Sequence, residues 1–322
     1  MGMGVVGQCL PSLRQFISKG FSWPICLYFA CMNRDPLHLV ECPRDAIQGW
    51  PHPISTEDKL AYYRVLLRVG FDTLDMGSFV SPKAVPAMAD TAKVIQQLEE
   101  EGQWALSKSK ALVIVANERG AREAVSYSAV DVLGFPMSLS PTFQERNTRA
   151  SMDEAWRRLD ITANLCQKHN KELVVYLSMG FGNPYGDPWD ESMAMSSGEQ
   201  IMDRCAPDVI SLADTVGAAT PELVESMSKA AVGSWGVERV GVHLHLHPLE
   251  GLEKTKAAHR GGCLRMDGAL RGVGGCPMAQ DDLVGNAPSE RVIEWARQSG
   301  LWQPDSLSAL DQAESLAADL FG

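Results

Sequence analysis

Arg239-Val240-Gly241-Val242-His243-Leu244-His245 reads as one strand of a parallel barrel, and the rest of the chain is arranged around it. Successive side chains of a strand point to opposite faces, so His243 and His245 share one face while Val242, Leu244 and Leu246 fill the other. His247 joins the two histidines if extension persists to Pro248. A strand this apolar on its second face suits a parallel sheet covered by helices.

Outward from this run, seven further short apolar segments alternate with longer stretches of helical period. They are Leu37–Cys42, Phe71–Met76, Ala111–Ala116, Val130–Phe135, Glu172–Ser178, Val209–Ala213 and Cys263–Asp267. Their spacing predicts βα units. Helix ends are marked by Ser55-Thr56-Glu57 and Gly70, by Ser151 three residues ahead of Glu154, and by Thr220-Pro221-Glu222. Eight units with no Pro/Ser-rich linker between them predict an α/β fold, a single (β/α)8 TIM barrel over residues 32–300. A doubly wound open sheet is the alternative. Residues 301–322 are expected to add a C-terminal helical extension, with its helix at Ser306–Phe321.

The chain has 322 residues, 45% of them hydrophobic, enough for one large core. A net charge of -11 disfavours nucleic acid and anionic membrane surfaces as partners. Eight cysteines without a CxxC pair suit free thiols in a reducing compartment. Residues 1–31 hold Arg14 and Lys19, no acid, and an apolar run, Ile25 to Cys31, too short to span a bilayer. They are expected to lie outside the fold, as an upstream extension or a weak targeting segment. The expected location is cytoplasmic, or the mitochondrial matrix if that segment is a transit peptide.

In a barrel, the C-terminal ends of the strands carry the chemistry. His243 and His245 there are good ligands for a borderline divalent metal. Glu41-Cys42-Pro43-Arg44-Asp45 ends the first strand, with Asp45 offering an oxygen ligand, Arg44 a permanently charged fork of donors, and Gln48 a nearby polar wall. Gly272-Val273-Gly274-Gly275-Cys276-Pro277, followed by Gly285-Asn286, reads as a loop able to close over a substrate, with Cys276 as a proton donor or acceptor. Asp75 and Asp214 end the second and sixth strands, each as an acid/base group or as an orienter of a ligand. His38, His52, His169 and His259 are expected on the surface or on helices. Neither a GxGxxG after a strand nor a Walker lysine is present, which disfavours nucleotide chemistry.

Together these motifs resemble the lyase branch of a metal-dependent barrel family that also contains isopropylmalate and homocitrate synthases, and within it the 3-hydroxy-3-methylglutaryl-CoA lyases. The resemblance runs from Leu37 to about Leu301. It is carried by Val40-Glu41-Cys42-Pro43-Arg44-Asp45-Ala46-Ile47-Gln48, Gly77-Ser78-Phe79-Val80-Ser81-Pro82-Lys83, Ser211-Leu212-Ala213-Asp214-Thr215-Val216-Gly217, the His243/His245 strand, and Gly274-Gly275-Cys276-Pro277 with Gly285-Asn286. It implies a Mg2+ or Mn2+ ion held by Asp45, His243, His245 and Asn286, with Arg44 on the enolate oxygen and Cys276 in proton transfer. It further implies an acyl-CoA substrate and a homodimer; Gln48, Asp75 and His247 are expected in the substrate site, with Asp214 as a candidate base.

The sequence departs from that family after His245, where Leu246-His247-Pro248-Leu249 replaces the usual Asp-Thr-Tyr-Gly. Asp75 stands where the family often has Glu, the loop from Cys276 to Asn286 is one residue longer, and Met179 and Asn183 replace cysteines of some relatives. A Claisen-type synthase, a lyase for a related 3-hydroxy-acyl-CoA and a non-catalytic binding barrel are the competing readings.

Overall fold

Eight parallel strands form a closed ring in the computed structural model, which describes residues 36–247, 251–275 and 284–322. The strands are β1 (His38–Glu41), β2 (Thr73–Ser78), β3 (Lys110–Ile114), β4 (Val132–Ser138), β5 (Glu172–Ser178), β6 (Val209–Asp214), β7 (Val240–Leu246) and β8 (Arg265–Gly268). Each pairs with its sequence neighbours, β1 pairs with β8, and no gap is left in the ring. This is the TIM barrel that the apolar spacing predicts, and the open sheet is excluded. Expectations for residues 1–31, for Pro248 and for Cys276 lie outside the described residues.

A ninth strand not expected from the sequence, β9 (Gly285–Asn286), runs antiparallel to the end of β7 and pairs Asn286 with His245. Two residues carry too little pattern to be read as a strand. Arg44 and Asp45, expected at the end of the first strand, lie instead on a short helix, α1 (Pro43–Gly49), that begins at Pro43. Proline fits the first turn, where its missing N–H costs nothing.

Ten further α-helices cover the ring among the described residues: α2 (Thr56–Val69), α3 (Thr91–Glu100), α4 (Glu118–Ala124), α5 (Pro141–Thr148), α6 (Met152–His169), α7 (Glu191–Cys205), α8 (Pro221–Trp235), α9 (Glu253–Arg260), α10 (Ser289–Gln298) and α11 (Leu307–Phe321). The predicted caps form: Ser55, Ser151 and Thr220 each accept a backbone N–H of their helix's first turn, and Gly70 closes α2 in the left-handed region at φ 78°. The terminal helix α11 buries Leu310, Ala313, Ala317 and Phe321, and Phe321 meets Trp50 and Tyr62 edge-on. No helix among the described residues is long and apolar enough to cross a membrane.

Most of the apolar core lies between ring and helices, on the outward faces of the strands, as with Val242, Leu244 and Leu246. The interior is different. A small apolar cluster of Leu112, Val132, Val174 and Tyr176 occupies one side. The other side is polar, because the inward positions of β1, β2, β7 and β8 are His38, Thr73, His243, Arg265 and Asp267. His38 is therefore neither a surface nor a helix residue; it faces the interior and meets Thr73 and Arg265.

Glu41 is fully buried, accepts the Leu270 backbone N–H at 2.8 Å and bonds Ser289, which ties β1 to the segment after β8. Burial pushes its carboxyl up to about 8, against the opposing pull of those two bonds. An acid raised in the folded state holds its proton there and loses it on unfolding, so stability drains away as pH rises from about 4.5 to about 8. Glu41→Gln, a neutral stand-in, is expected to match the wild-type melting temperature at pH 5 and exceed it by a few degrees at pH 8.5. A lower midpoint at both pH values would show that the carboxyl is needed in its charged form.

Candidate metal centre

The C-terminal ends of β1, β7 and β9 converge at one mouth of the ring. Asp45, His243 and His245 each place a ligand atom within 4.8 Å of the others. α1 supplies Asp45, the inward alternation of β7 supplies both imidazoles, and pairing of β9 with β7 brings Asn286 beside His245.

Hydrogen bonds fix which atoms face inward. His245 Nδ1 lies 2.8 Å from the Thr215 carbonyl, which only accepts, so Nδ1 carries the proton and Nε2 presents a lone pair. His243 Nδ1 is turned in the same way toward Asp267 Oδ2 at 3.2 Å. The two Nε2 atoms are then 3.2 Å apart. Two lone pairs at that separation repel unless a positive charge lies between them. Asp45 adds a carboxylate, and the Asn286 amide nitrogen donates to Asp45 Oδ2 at 2.8 Å and to Val273 O at 2.9 Å, leaving its oxygen as the acceptor. Two imidazoles and a carboxylate fit a divalent cation, and Asn286 is bonded to that carboxylate.

The electrostatics agree. Burial works against ionisation of Asp45, but Arg44 and then the two histidines hold its carboxyl well below the usual range. Burial lowers His245 to about 4, with His243 adding to the effect. Burial also acts against a charged His243, yet Asp267 and Asp45 outweigh it and raise its affinity for a proton. The site is built to hold positive charge at the His243–His245 edge. A second close group, Cys42, His243 and Asp267, is a weaker candidate, because Nδ1 of His243 is already bonded to Asp267 and burial raises the Cys42 thiol strongly.

Arg44 is locked beside the cluster. Its Nε donates to Asp75 at 3.0 Å, its Nη2 also bonds Asp75, and Nη1 donates to Asp45 Oδ1 at 2.7 Å and more weakly to Gln48 at 3.3 Å. One Nη2 hydrogen remains of its five donors. Asp75 and Gln48 are thus brought to the site and hold the guanidinium in place.

Asp214 is not brought to the cluster. Ala213 is in register with His243 and so shares its inward face, whereas Asp214 pairs with the outward-facing Leu244. Its carboxylate accepts from Lys254 Nζ at 3.2 Å and from the Ala219 N–H at 3.1 Å, while Lys254 also donates to the Gly217 carbonyl at 2.9 Å. Asp214 braces the turn that presents the Thr215 carbonyl to His245. His247 is exposed just past β7, so the three-histidine face ends at two. Two residues missed in the sequence, Asp267 and Arg265, sit on the inward face of β8; their signal was a charged pair two apart in a strand otherwise read as buried.

The glycine segment packs directly on the centre. Gly275 N–H donates to Asp45 Oδ2 at 3.2 Å. Gly274 has φ 113°, and a Cβ there would fall 2.3 Å from the Asn286 amide nitrogen and 2.9 Å from Asp45 Oδ2. Gly274→Ala is therefore expected to push Asn286 off the site and lower activity about a hundredfold, the scale of an ångström-sized misplacement. Unchanged activity would mean that the segment gives way freely.

The HMGL-like family model matches residues 39–316, a span that includes the cluster and all of the ring but His38. The chain belongs to the HMGL-like family. It is 30% identical to a hydroxymethylglutaryl-CoA lyase of Bacillus subtilis over 256 residues, 80% of this chain and 83% of that one. It is 30% identical over 262 residues to a 3-hydroxy-3-isohexenylglutaryl-CoA/hydroxymethylglutaryl-CoA lyase of Pseudomonas aeruginosa, with the same coverage of 80% and 83%. Among solved structures, an HMG-CoA lyase from Acinetobacter baumannii in complex with coenzyme A and 3-methylmalate superposes with a TM-score of 0.80 at 28% identity, covering 89% of this chain and 92% of that one. For this HMGL-like chain, the family places the ring and its mouth in an enzyme lineage.

Proposed function

We propose that this enzyme of the hydroxymethylglutaryl-CoA lyase type cleaves 3-hydroxy-3-methylglutaryl-CoA to acetyl-CoA and acetoacetate, with a Mg2+ or Mn2+ ion held by Asp45, His243, His245 and Asn286. The observation that carries the reading is the pair of Nε2 lone pairs 3.2 Å apart beside Asp45, with the Arg44 guanidinium bonded to that same carboxylate. The ion, when bound, would supply Lewis acidity toward the substrate's oxygen atoms.

The chain's residues account for the rest. The 3-hydroxyl gives its proton to water at the mouth as the C2–C3 bond breaks, the O–H pair forms the ketone of acetoacetate, and the C2–C3 pair moves onto the thioester carbonyl. The proton released balances the one the carbanion then takes up. Negative charge builds on the thioester oxygen, and a guanidinium already fixed by Asp75 and Asp45 stabilises it with no reorganisation at the moment of reaction. Cys276 is assigned to protonate the resulting carbanion, on its place in the sequence. Gln48 and Asp75 form the substrate wall around Arg44, and His247 is assigned a contact at the mouth. Asp214 takes an orienting role through the Thr215 turn, since its carboxylate is bonded to Lys254.

The test is an incubation of the purified protein with Mg2+ and 3-hydroxy-3-methylglutaryl-CoA. Acetoacetate that disappears with EDTA and returns with metal is expected. Free CoA released instead from acetyl-CoA plus a 2-oxo acid would point to a synthase, and metal binding without turnover on either substrate would refute the lyase.

A further inference from the structure

Arg265 and Asp267 stand two apart on β8, share its inward face and are about 7 Å apart along the strand. Asp267 Oδ2 accepts from His243 Nδ1, while its Oδ1 is buried with no hydrogen-bond partner among the described residues. Arg265 donates Nη1 to His38 Nε2 at 2.9 Å, and its Nε and Nη2 are buried and likewise unpartnered. So are the hydroxyls of Tyr176 and Ser211, which face each other in register on β5 and β6. These four residues are 8, 5, 7 and 0% exposed, in the order named.

They share one compartment. Gly241 leaves the space for it: a Cβ there would lie 3.0 Å from Arg265 Cδ and 3.4 Å from Ser211 Oγ, so the arginine stem crosses β7 toward β6. The Tyr176 ring meets His243 edge-on with centroids 5.7 Å apart. Guanidinium donors, a carboxylate acceptor and two hydroxyls that do both make a complementary set. Buried polar groups of this kind are bridged by ordered water.

We propose that Arg265 is a positioning residue for the metal centre: through water shared with Tyr176 and Ser211 it anchors Asp267, which fixes the ring of His243. The proposal rests on the reading of His243 as a metal ligand. A polar group behind a ligating imidazole sets the ring's orientation and the nitrogen it presents, and losing it typically weakens metal binding ten- to hundredfold.

Mn2+ titration followed by electron paramagnetic resonance tests this on the full chain, using Arg265→Met, Arg265→Lys, Asp267→Ala, the double variant Arg265→Met/Asp267→Ala, and His243→Ala as control. Arg265→Met and Asp267→Ala are each expected to weaken Mn2+ about ten- to hundredfold. Arg265→Lys should recover most of the loss, and the double variant should bind no more weakly than Asp267→Ala, because both act by one route. A residue that only packs would lower the melting temperature and leave Mn2+ affinity unchanged, which overturns the proposal, as would additive losses in the double variant. If His243→Ala binds Mn2+ as tightly as the wild type, it is the metal-centre reading that fails. Should Arg265→Met not fold, a wild-type crystal structure decides: water bonded to both Arg265 and Asp267 Oδ1 supports the proposal, and a direct pair or a dry interior overturns it.

Discussion

Arg44→Gln is expected to lower turnover of 3-hydroxy-3-methylglutaryl-CoA by about a thousandfold or more, since removing a single fixed donor from a developing oxyanion costs about a hundred- to thousandfold and here the donor is charged. The same change strips a cation from two buried carboxylates. Breaking a buried pair costs about 3–5 kcal/mol when the remaining charge is stranded. Asp75 escapes part of that cost. Burial already raises its carboxyl, with Arg44 pulling the other way, so without Arg44 its hold on a proton strengthens further. The sign follows: a raised folded-state carboxyl is stabilising at low pH and loses that contribution as pH rises. The melting temperature of Arg44→Gln should thus fall less at pH 5 than at pH 8. Adding Asp75→Asn should recover stability without recovering turnover, and near-wild-type turnover in Arg44→Gln would refute the role given to the guanidinium.

His243→Ala is the second large effect. It removes one of two facing Nε2 atoms, leaves the inward oxygen of Asp267 without its imidazole partner, and opens space beside Tyr176. Metal affinity is expected to drop by at least about a hundredfold, because even the group behind such a ligand is worth ten- to hundredfold. Activity should fall with it and return only in part at high Mn2+. Isothermal titration with Mn2+, together with the acetoacetate assay, checks both halves. Tight metal binding in His243→Ala would remove the imidazole from the centre.

The ring was legible because each strand pairs an apolar outward face with a turn signal at its end, and eight repeats of that pattern admit few closures. The pair of inward imidazoles was legible for the same reason: alternation alone puts His243 and His245 on one face. Asp45 and Arg44 were found, though on the wrong element, since nothing before Pro43 distinguishes a strand's last residues from a short helix's first. Of the two readings of Asp214 the orienting one remains, because a shift of one residue along the strand turns its side chain to the other face of the sheet. The polar interior was missed. Inward and outward faces of a buried strand look alike in composition until a partner fixes the register, so Arg265 and Asp267 carry no site signal of their own and His38 reads as a surface or helix residue. Only β8 pairing with β1 and β7 shows that all three face one another.

We propose that two imidazoles and one carboxylate of this ring hold a single divalent cation. Pulsed electron paramagnetic resonance of the Mn2+-loaded protein tests it directly, because nitrogen couplings count the histidines on the metal. One Mn2+ per chain coupled to two imidazole nitrogens is predicted, with one coupling lost in His243→Ala and one in His245→Ala. A bound Mn2+ with no nitrogen coupling, or couplings that survive both substitutions, would contradict it.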